Sequence, residues 1–327
     1  MAKRTATQPL GFDTVGLVGL GLMGRGIATC LLANGLKVVA YNRTASRRRV
    51  AVGQIAGHVG EVIRRKMRTR AQMKGWKMRL TVTGAVDELG DCPFIIESVK
   101  EDLALKRDLY DRLEAVVPAR TIIASNTSSI PVTVLQAGRV HPERFIVMHW
   151  AEPAWITPYL EIVPGPKTSP RTKRLTRQLG LTVGKNPTLA NFDIRGFISN
   201  RMMYAMMREA CHLVEAGVAD VETVDRSFRN DIGCWASIAG PFRWMDLTGV
   251  GAYATVMEGL FPELSDRKTL PRMMKRLRDR GAEGISNGRG HYRYSPAEAR
   301  RWEKAWVDFT YDLQALLAKY DRQVGGL

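Results

Sequence analysis

A glycine-rich turn between an apolar run and an amphipathic segment constrains this chain more than any other feature. The apolar run ends at Gly19, and the spacing Gly19-x-Gly21-x-x-Gly24 opens a segment with helical periodicity that stops at Gly35. A second β-rich run, Lys37–Tyr41, follows. In such a turn the first glycine permits the sharp bend, the second lets the backbone approach a pyrophosphate, and the third lets the helix pack closely. Free N–H groups at the helix N-terminus attract the phosphates. The motif in this context predicts a dinucleotide-binding βαβ unit.

The end of the second run selects between the two nicotinamide dinucleotides. NAD sites usually place an Asp or Glu there for the ribose 2′-hydroxyl, whereas NADP sites offer a cation to the 2′-phosphate. This chain has Asn42 and Arg43, followed closely by Arg47, Arg48 and Arg49. An anion at this corner meets positive charge and no carboxylate, so the sequence predicts that NADP is preferred and that NAD is possible. The alternative is that Arg43 stacks on the adenine and the 2′ position is read only loosely.

Strand and helix patterns alternate in the first part of the chain and give way to helices alone in the second. Four further apolar runs lie at 80–83, 94–96, 121–124 and 145–148. Strands that alternate with helical spacing are typical of a doubly wound parallel sheet. From Phe197 onward, amphipathic segments are separated by Gly and Pro breakers, and no strand alternation is visible. We therefore expect a Rossmann-type α/β domain over residues 1–191 and an all-α domain over residues 192–327.

Charge and cysteine spacing narrow the range of partners. The net charge of +17 suits polyanionic ligands such as NADP or coenzyme A. The basic residues concentrate between 47 and 79, where no nucleic-acid-binding module is recognisable, so charge alone supports nucleic-acid binding. The four cysteines lack metal-ligand spacing, the N-terminus lacks the apolar core of a secretion signal, and no run approaches the roughly 18 apolar residues of a membrane span. We expect a soluble cytoplasmic protein with a small-molecule substrate and without a metal, nucleic-acid or membrane partner.

Polar residues follow two strands of the predicted sheet, at the edge where ligands of such sheets gather. The SNTSS turn, Ser125–Ser129, follows one strand, and His149 follows another, with Glu161 twelve positions further on. Together with GFISNR at Gly196–Arg201 and GPFRWMDLTG at Gly240–Gly249, these motifs resemble the 3-hydroxyacyl-CoA dehydrogenase family, including its relatives similar to lambda-crystallin and L-gulonate dehydrogenase. The resemblance covers nearly the whole chain.

The resemblance implies a catalytic role for His149 and Glu161. His149 would act as the general base that takes the proton of a substrate 3-hydroxyl while C3 gives its hydride to the nicotinamide. An imidazole suits this exchange because it titrates near neutral pH. Glu161 would hold the other ring N–H, fix the tautomer and stabilise the imidazolium.

The resemblance also implies supporting roles for four other residues. Ser128 and Asn200 would hydrogen-bond the reacting oxygen and stabilise the charge that develops on it. Glu101 and Lys106 would lie beside the cofactor. The resemblance further implies a homodimer formed through the helical domain.

Three positions depart from the family pattern. Glu152 stands where the family usually has an Asn, and an ionised Glu cannot donate a hydrogen bond as an Asn can. Arg195 stands where a Pro commonly precedes the Gly-Phe pair, and Asn42-Arg43 replaces the acidic residue of NAD-preferring members. The substitution at Glu152 puts substrate choice and the level of activity in question.

Three functions are compatible with these observations. The first is hydride transfer between a nicotinamide cofactor and the C3 hydroxyl or keto group of a 3-hydroxyacyl-CoA, favoured by Arg64, Arg65 and Lys66, which lie where acyl-CoA members could meet the phosphates. The second is a dehydrogenase of a free 3-hydroxy acid, such as gulonate or carnitine. This function needs no phosphate contact, and the three basic side chains would then simply face water. The third is a cofactor-binding protein without turnover, which Glu152 favours.

Overall fold

An eight-stranded sheet organises the first of two units in the computed structural model, which describes residues 9–324. The strands are Thr14–Val18 (β1), Lys37–Tyr41 (β2), Leu80–Thr83 (β3), Phe94–Glu97 (β4), Ile122–Ser125 (β5), Phe145–Trp150 (β6), Tyr159–Pro164 (β7) and Asn186–Leu189 (β8). Their order across the sheet is β3-β2-β1-β4-β5-β6-β7-β8, and all neighbours are parallel except β6 and β7. The predicted doubly wound, mostly parallel sheet is therefore confirmed.

The antiparallel pair β6–β7 follows from a short connection. Residues 151–158 link the two strands, and a segment of this length cannot make the crossover that a parallel partner requires. In the resulting register His149 lies directly opposite Glu161. The sequence patterns did not predict β7 and β8, although β7 is almost wholly buried.

The helices of this unit connect the strands and cover the sheet. They are Leu22–Ala33 (α1), Ala45–Arg64 (α2), Arg70–Met73 (α3), Leu103–Val116 (α4), Val132–Gln136 (α5) and Pro170–Thr182 (α6), with 3₁₀ turns at 76–79, 86–89 and 142–144. Every residue of β4, β5 and β6 is buried, as expected of central strands that are covered on both faces. The carboxyl ends of β1, β4 and β5 consequently meet at one edge, where polar residues can converge.

The second unit begins at Arg201 and is helical. The helix Ser199–Glu215 (α7) starts two residues before this division. The other helices of the unit are Val221–Asn230 (α8), Ile232–Ala236 (α9), Pro241–Thr248 (α10), Val250–Leu260 (α11), Arg272–Asp279 (α12) and Pro296–Val324 (α13), with a 3₁₀ turn at 261–263. The predicted all-α second part of the fold is confirmed. The domain boundary after residue 191 stays a prediction, since the chain divides after Asn200 by compactness.

Burial differs sharply between the two units. Among the described residues from 201 onward, only Ala239 and Thr310 are buried, and many large apolar side chains are exposed. Polar contacts do order this unit internally: Glu215 accepts from the Arg267 guanidinium (2.5 Å) and from the Met273 N–H (2.7 Å). None of the described helices combines the length and the apolar character that crossing a lipid bilayer requires.

Candidate active site

The three glycines of the turn have distinct surroundings. Gly19 has a φ of +97°, and a Cβ there would lie 2.4 Å from the Ser98 carbonyl oxygen. A Cβ on Gly24 would lie 2.0 Å from the Gly19 oxygen, whereas one on Gly21 would have nothing within 4 Å. The first and third glycines are thus required by packing, and the second faces open space. Gly21 is also the N-cap of α1, and none of the side chains of residues 9–324 caps the helix N–H groups there. This arrangement fits a dinucleotide pyrophosphate.

A cleft of roughly 340 Å³ lies in front of this turn. Its lining comes from the first turn of α1 and from the loops after β4 and β5: Gly21, Leu22, Met23, Ser98, Val99, Lys100, Glu101, Asn126 and Ser128. The sequence-predicted residues Gly21, Glu101 and Ser128 therefore share one cleft, which is large enough to receive part of a dinucleotide.

Asn126 ties together the ends of three strands. Its Oδ1 accepts from the Trp150 N–H (2.9 Å), its Nδ2 donates to Ser98 Oγ (3.2 Å), and its own N–H donates to the Glu97 carbonyl (2.7 Å). The ends of β4, β5 and β6 are thereby held in a fixed relation. Sequence reasoning noticed the turn that contains Asn126 but did not single out the residue.

Glu101 holds the loop that carries Ser128. Its Oε1 accepts from the N–H groups of Ser128 and Ser129 (both 3.1 Å), from Ser129 Oγ (3.0 Å) and from Thr127 Oγ1. Burial opposes ionisation of Glu101, but these hydrogen bonds and the charge of Lys106 outweigh it and lower its pKa. Glu101 lines the cleft, and its hydrogen bonds go to the Ser128 loop.

Lys106 lies behind this loop and not in the cleft. Its side chain is 1% exposed, and its Nζ is 2.6 Å from Glu97 Oε1 and 3.5 Å from Glu101 Oε2. The fully buried Glu97 also accepts from Tyr110 OH (2.7 Å) and Ser125 Oγ (2.6 Å). Lys106, expected beside the cofactor, is thus buried and paired with two carboxylates, and its role toward the cofactor stays a prediction.

His149 lies near the end of β6, buried except for 9% of its surface. Its Nδ1 is 3.0 Å from the Tyr159 hydroxyl and 3.5 Å from Glu161 Oε2. The rings of Tyr159 and Phe197 pack against the imidazole, with centroids 5.5 and 5.7 Å away. Within residues 9–324 its Nε2 makes no hydrogen bond. This nitrogen is therefore available to another molecule.

Glu161 is the acceptor around which this cluster is built. Its Oε1 accepts from the Ile198 N–H (2.6 Å), and its Oε2 accepts from Tyr159 OH (2.7 Å) and Ser199 Oγ (3.3 Å). Burial works against its charge, but the contacts with His149, Tyr159 and Ile198 outweigh burial and lower its pKa. Glu161 therefore stays ionised and can stabilise a cation on His149.

A strained turn delivers these donors to Glu161. Gly196 and Phe197 both have left-handed backbones, with φ of +81° and +52°, and such a conformation is costly for a phenylalanine. Phe197 is fully buried against the core and against His149, which holds it there. The turn directs the Ile198 N–H and Ser199 Oγ toward Glu161.

Asn200 joins the histidine cluster to the Ser128 loop. Its Nδ2 donates to the Ser128 carbonyl (2.8 Å), while the preceding residue, Ser199, contacts Glu161. The four predicted catalytic residues therefore form two polar pairs, His149 with Glu161 and Ser128 with Asn200, which the peptide bond between Ser199 and Asn200 joins. The Ser128 side chain is exposed, and its Oγ has no partner in the part of the chain that the structure describes.

Tyr159 and Ser199 belong to the cluster of His149 and Glu161 but were missed in the sequence. Tyr159 lies two residues before Glu161 on β7, so the two side chains point to the same face. A Tyr-x-Glu pattern on a recognised strand would have indicated it. Because β7 was not predicted as a strand, this signal had no structural context.

Glu152 occupies the loop that follows β6. The side chain is partly buried, and its Oε2 has no hydrogen-bond partner among the described residues. Burial raises the pKa of Glu152 to about 7, although the nearby Arg25 guanidinium opposes this shift. At neutral pH this carboxyl therefore exists in both forms, and its protonated form can donate a hydrogen bond as an Asn does.

The corner after β2 carries cations but no carboxylate. Asn42 Oδ1 accepts from the Thr44 N–H (3.0 Å), and the Arg48 guanidinium donates to the carbonyls of Asn42 (2.6 Å) and Arg43 (3.2 Å). The Arg43 side chain is exposed. Arg48 is thus fixed by the backbone, and Arg43 extends from the same corner.

Arg64, Arg65 and Lys66 lie outside the cleft, exposed at the C-terminal end of α2. The next basic residue, Arg68, donates to the Ala33 carbonyl (2.9 Å) at the C-terminal end of α1. A helix of twelve residues spans about 18 Å, so α1 separates this cluster from the glycine turn.

Within residues 9–324 no group of three His, Cys, Asp or Glu side chains could hold a metal ion.

Residues 14–193 match the family model of the 3-hydroxyacyl-CoA dehydrogenase NAD binding domain, and residues 196–294 match that of the C-terminal domain of the same enzymes. The chain belongs to the 3-hydroxyacyl-CoA dehydrogenase family. Members of this family are NAD-dependent dehydrogenases that act on CH–OH groups, which confirms the resemblance inferred from the motifs.

Individual relatives differ in substrate. A 5-formyl-3-hydroxy-2-methylpyridine 4-carboxylate 5-dehydrogenase of Mesorhizobium japonicum is 34% identical over 88% of this chain and 92% of its own length. A probable 3-hydroxybutyryl-CoA dehydrogenase of Deinococcus radiodurans is 31% identical over 85% of this chain and 99% of its own. The crystal structure of an NAD⁺-dependent dismutase, also a 5-formyl-3-hydroxy-2-methylpyridine 4-carboxylic acid 5-dehydrogenase, matches 94% of this chain and 99% of that chain with a TM-score of 0.89 and 30% identity.

The raised pKa of Glu152 predicts a pH-dependent difference between the protein and its Glu152→Gln variant. The folded state retains the Glu152 proton to a higher pH than the unfolded state, so ionisation costs stability as the pH rises from about 4.5 through about 7. Over this range the wild-type free energy of unfolding should fall relative to the variant by on the order of 1 kcal/mol, since solvent screens a partly exposed group. Urea unfolding at a series of pH values measures the difference, and a constant difference would contradict the assignment.

Proposed function

We propose that His149 is the general base of a hydride-transfer reaction at a substrate CH–OH group. The observation that carries this proposal is that Nδ1 of His149 is engaged by Tyr159 and Glu161 while Nε2 remains open. A neutral imidazole in this state accepts a proton at Nε2, and the ionised Glu161 stabilises the resulting imidazolium. The nicotinamide cofactor, when bound, supplies the hydride acceptor or donor.

Ser128 and Asn200 are proposed to hydrogen-bond the reacting oxygen. The Ser128 hydroxyl is exposed and has no partner in the described chain, and Asn200 Nδ2 is fixed to the Ser128 carbonyl. Glu101 holds the same loop through its N–H groups, so the loop is ordered before a substrate arrives. Preorganised donors of this kind stabilise charge that develops in a transition state.

For the substrate we propose a 3-hydroxyacyl-CoA, with Arg64, Arg65 and Lys66 as the contact for its phosphates. Arg68, which follows this cluster, contacts the C-terminal end of α1, about 18 Å along the helix from the glycine turn, and a substrate with a long anionic tail suits that separation. The strongly positive net charge of the chain also favours polyanionic ligands.

A free hydroxy acid is the second candidate. It is favoured by the structural similarity of this chain, along nearly its full length, to a dehydrogenase of a free carboxylic acid. The relative with a TM-score of 0.89 acts, by its name, on a pyridine carboxylic acid. In this case Arg25, whose buried Nε has no hydrogen-bond partner in residues 9–324, is a cation available near Glu152.

The family's NAD binding domain supports NAD as a cofactor. As the finer statement, we propose that this chain prefers NADP. The support is local: the corner after β2 offers the exposed Arg43 and the backbone-fixed Arg48, and Asn42 replaces a carboxylate that would repel the 2′-phosphate.

We also propose that the chain forms a homodimer through its helical unit. From residue 201 onward the described chain buries only two residues, and it exposes Trp302, Trp306 and Phe309 by 51–58%. These three side chains lie on one face of α13 by their spacing. Neighbouring exposed aromatic side chains are typical of an interface, and a second copy can cover them symmetrically.

Replacing the base should abolish turnover without affecting the cofactor. His149→Gln is expected to lower kcat by about 10³-fold, the scale of a lost general base, while the cofactor Kd changes less than about two-fold. Stopped-flow hydride transfer and fluorescence titration measure the two quantities. A variant that retains turnover would refute the assignment. If the wild-type protein binds cofactor but turns over no 3-hydroxyacyl-CoA or hydroxy acid, the reading as a cofactor-binding protein gains support.

The basic cluster separates the two substrate classes. Changing Arg64, Arg65 and Lys66 together to Ser should raise the KM for a 3-hydroxyacyl-CoA by about ten-fold or more and leave that of a free hydroxy acid within about two-fold, because only the thioester carries phosphates. Changing Lys74, Lys77 and Arg174 to Ser alters the net charge equally and serves as the control. Equal effects of the two triple variants would remove the support for CoA.

The cofactor preference can be measured by parallel titrations with NADP and NAD. The wild type should bind NADP more tightly, and Asn42→Asp should weaken NADP binding by about ten-fold, because the carboxylate repels the 2′-phosphate and accepts from the 2′-hydroxyl of NAD. A wild type that binds NAD more tightly than NADP would refute this preference.

Association of the helical unit is testable by sedimentation velocity. The 36.5 kDa chain should sediment as a dimer, and Trp302→Glu combined with Trp306→Glu should shift it to a monomer or destabilise it, since two charges would enter an apolar contact. The matched control is Met78→Glu, at a residue that is 90% exposed in the other unit. A wild-type monomer at micromolar concentration would contradict the proposal.

A further inference from the structure

The Tyr159 hydroxyl stands between the two residues that the family motif pairs directly. It is 3.0 Å from His149 Nδ1 and 2.7 Å from Glu161 Oε2, whereas the histidine and the carboxylate are 3.5 Å apart. The phenol is thus within hydrogen-bond distance of both, while the direct contact exceeds the usual length of a charge-assisted hydrogen bond.

Counting protons gives the hydrogen bonds a direction. A tyrosine hydroxyl has a single proton, and an ionised carboxylate can only accept, so Tyr159 donates to Glu161. The same oxygen must then accept from His149 Nδ1, which has to carry its proton. Ser199 Oγ is 2.5 Å from the phenol oxygen and 3.3 Å from Glu161 Oε2, and its single proton can go to the remaining lone pair of the phenol or to the carboxylate.

The surroundings keep the phenol in its protonated form. Burial raises the pKa of Tyr159, and the hydrogen bond to Glu161 raises it further. The contact with Ser199 lowers this pKa, but by less than the other two effects raise it. The negative charge therefore remains on the carboxylate. The sheet fixes this geometry. His149 on β6 is opposite Glu161 on β7, and Tyr159 lies on β7 two residues before Glu161.

We propose that Tyr159 is a positioning residue for the reaction proposed above: its hydroxyl accepts the Nδ1 proton of His149, passes the influence of the Glu161 charge to the imidazole, and so leaves the Nε2 lone pair for the substrate. This inference rests on the proposed role of His149 as the base. It assigns to a tyrosine the contact that the sequence motif assigns to the glutamate.

Ser199 has a secondary part in this arrangement. Its hydroxyl contacts both the phenol oxygen and Glu161 Oε2, and it therefore limits the rotation of the Tyr159 O–H. Its removal leaves the Tyr159–His149 contact in place. The effect of Ser199→Ala should therefore have the same sign as that of Tyr159→Phe and a smaller size.

The test compares Tyr159→Phe with the wild type by NMR of the imidazole nitrogens and by kinetics. In ¹⁵N-labelled protein, the signals of His149 are assigned by their absence in His149→Gln. The wild-type ring should be in the Nδ1–H form with a hydrogen-bonded proton, and Tyr159→Phe should convert much of it to the Nε2–H form. Because no substrate is needed, this readout does not depend on turnover.

Kinetics supply a second readout. Tyr159→Phe should lower kcat roughly 10 to 100-fold with KM within about two-fold, because the base has the wrong tautomer. In the direction of alcohol oxidation, the acidic limb of kcat/KM should move to lower pH, since the imidazolium loses an acceptor. Ser199→Ala should give smaller changes of the same sign.

Tyr292→Phe is the matched control. It removes another tyrosine–carboxylate hydrogen bond, from Tyr292 OH to Asp225 Oδ2 (2.8 Å), and no imidazole takes part in that contact. This variant should leave both the His149 signals and kcat unchanged within about two-fold. Thermal unfolding of all variants verifies that each is folded.

The outcomes distinguish this proposal from the proposed function. If Glu161 closes the gap and takes the Nδ1 proton directly in Tyr159→Phe, the tautomer and kcat stay as in the wild type, and the positioning role is overturned. If the tautomer changes while the wild type shows no turnover at all, the positioning role holds and the proposed function fails.

Discussion

The antiparallel pairing of β6 with β7 is the constraint on which the rest of the site depends. Eight residues between the strands force the chain to turn back, and the resulting register sets His149 opposite Glu161. Cross-strand partners have side chains on the same face of the sheet, so one residue of register slip would separate the two completely. The twelve positions that separate His149 from Glu161 in the sequence are the length of chain that this hairpin needs to bring them face to face. Tyr159 enters the cluster through the same geometry.

Three carboxylates, of which Glu97 and Glu161 are buried and Glu101 lines the cleft, hold the surrounding loops in place. Glu97, Glu101 and Glu161 each accept several hydrogen bonds, and each set converges on backbone that faces the cleft or the histidine. Burying charge without partners would be costly, but each of these groups has several donors, and Lys106 neutralises part of the charge. The loops that present Ser128 and Asn200 are therefore ordered by electrostatics as much as by apolar packing. Preorganised donors are what hydride transfer from an alcohol requires.

Much of the fold was predictable from local patterns, and the positions of single polar residues were less so. The six strands up to Phe145–Trp150, the glycine turn and the helical second part all have short-range signals in the sequence. Lys106 shows the limit, because a lysine is seldom buried and its partner Glu97 lies nine residues away on another element. Tyr159 was missed because β7 is buried on both faces and lacks the alternation that marks a half-exposed strand. Asn126 acts by joining three strand ends, and such long-range contacts leave no local pattern.

The proposed mechanism requires that Nε2 of His149 faces the reacting oxygen while Nδ1 is engaged by Tyr159 and Glu161. A crystal structure of the ternary complex with a nicotinamide cofactor and a non-reacting hydroxy substrate analogue tests it most directly. We expect an Nε2-to-oxygen distance of about 3 Å, with the cofactor pyrophosphate against Gly21 at the start of α1. An imidazole that is turned into the core, or that lies beyond hydrogen-bond reach of the bound hydroxyl, would contradict it.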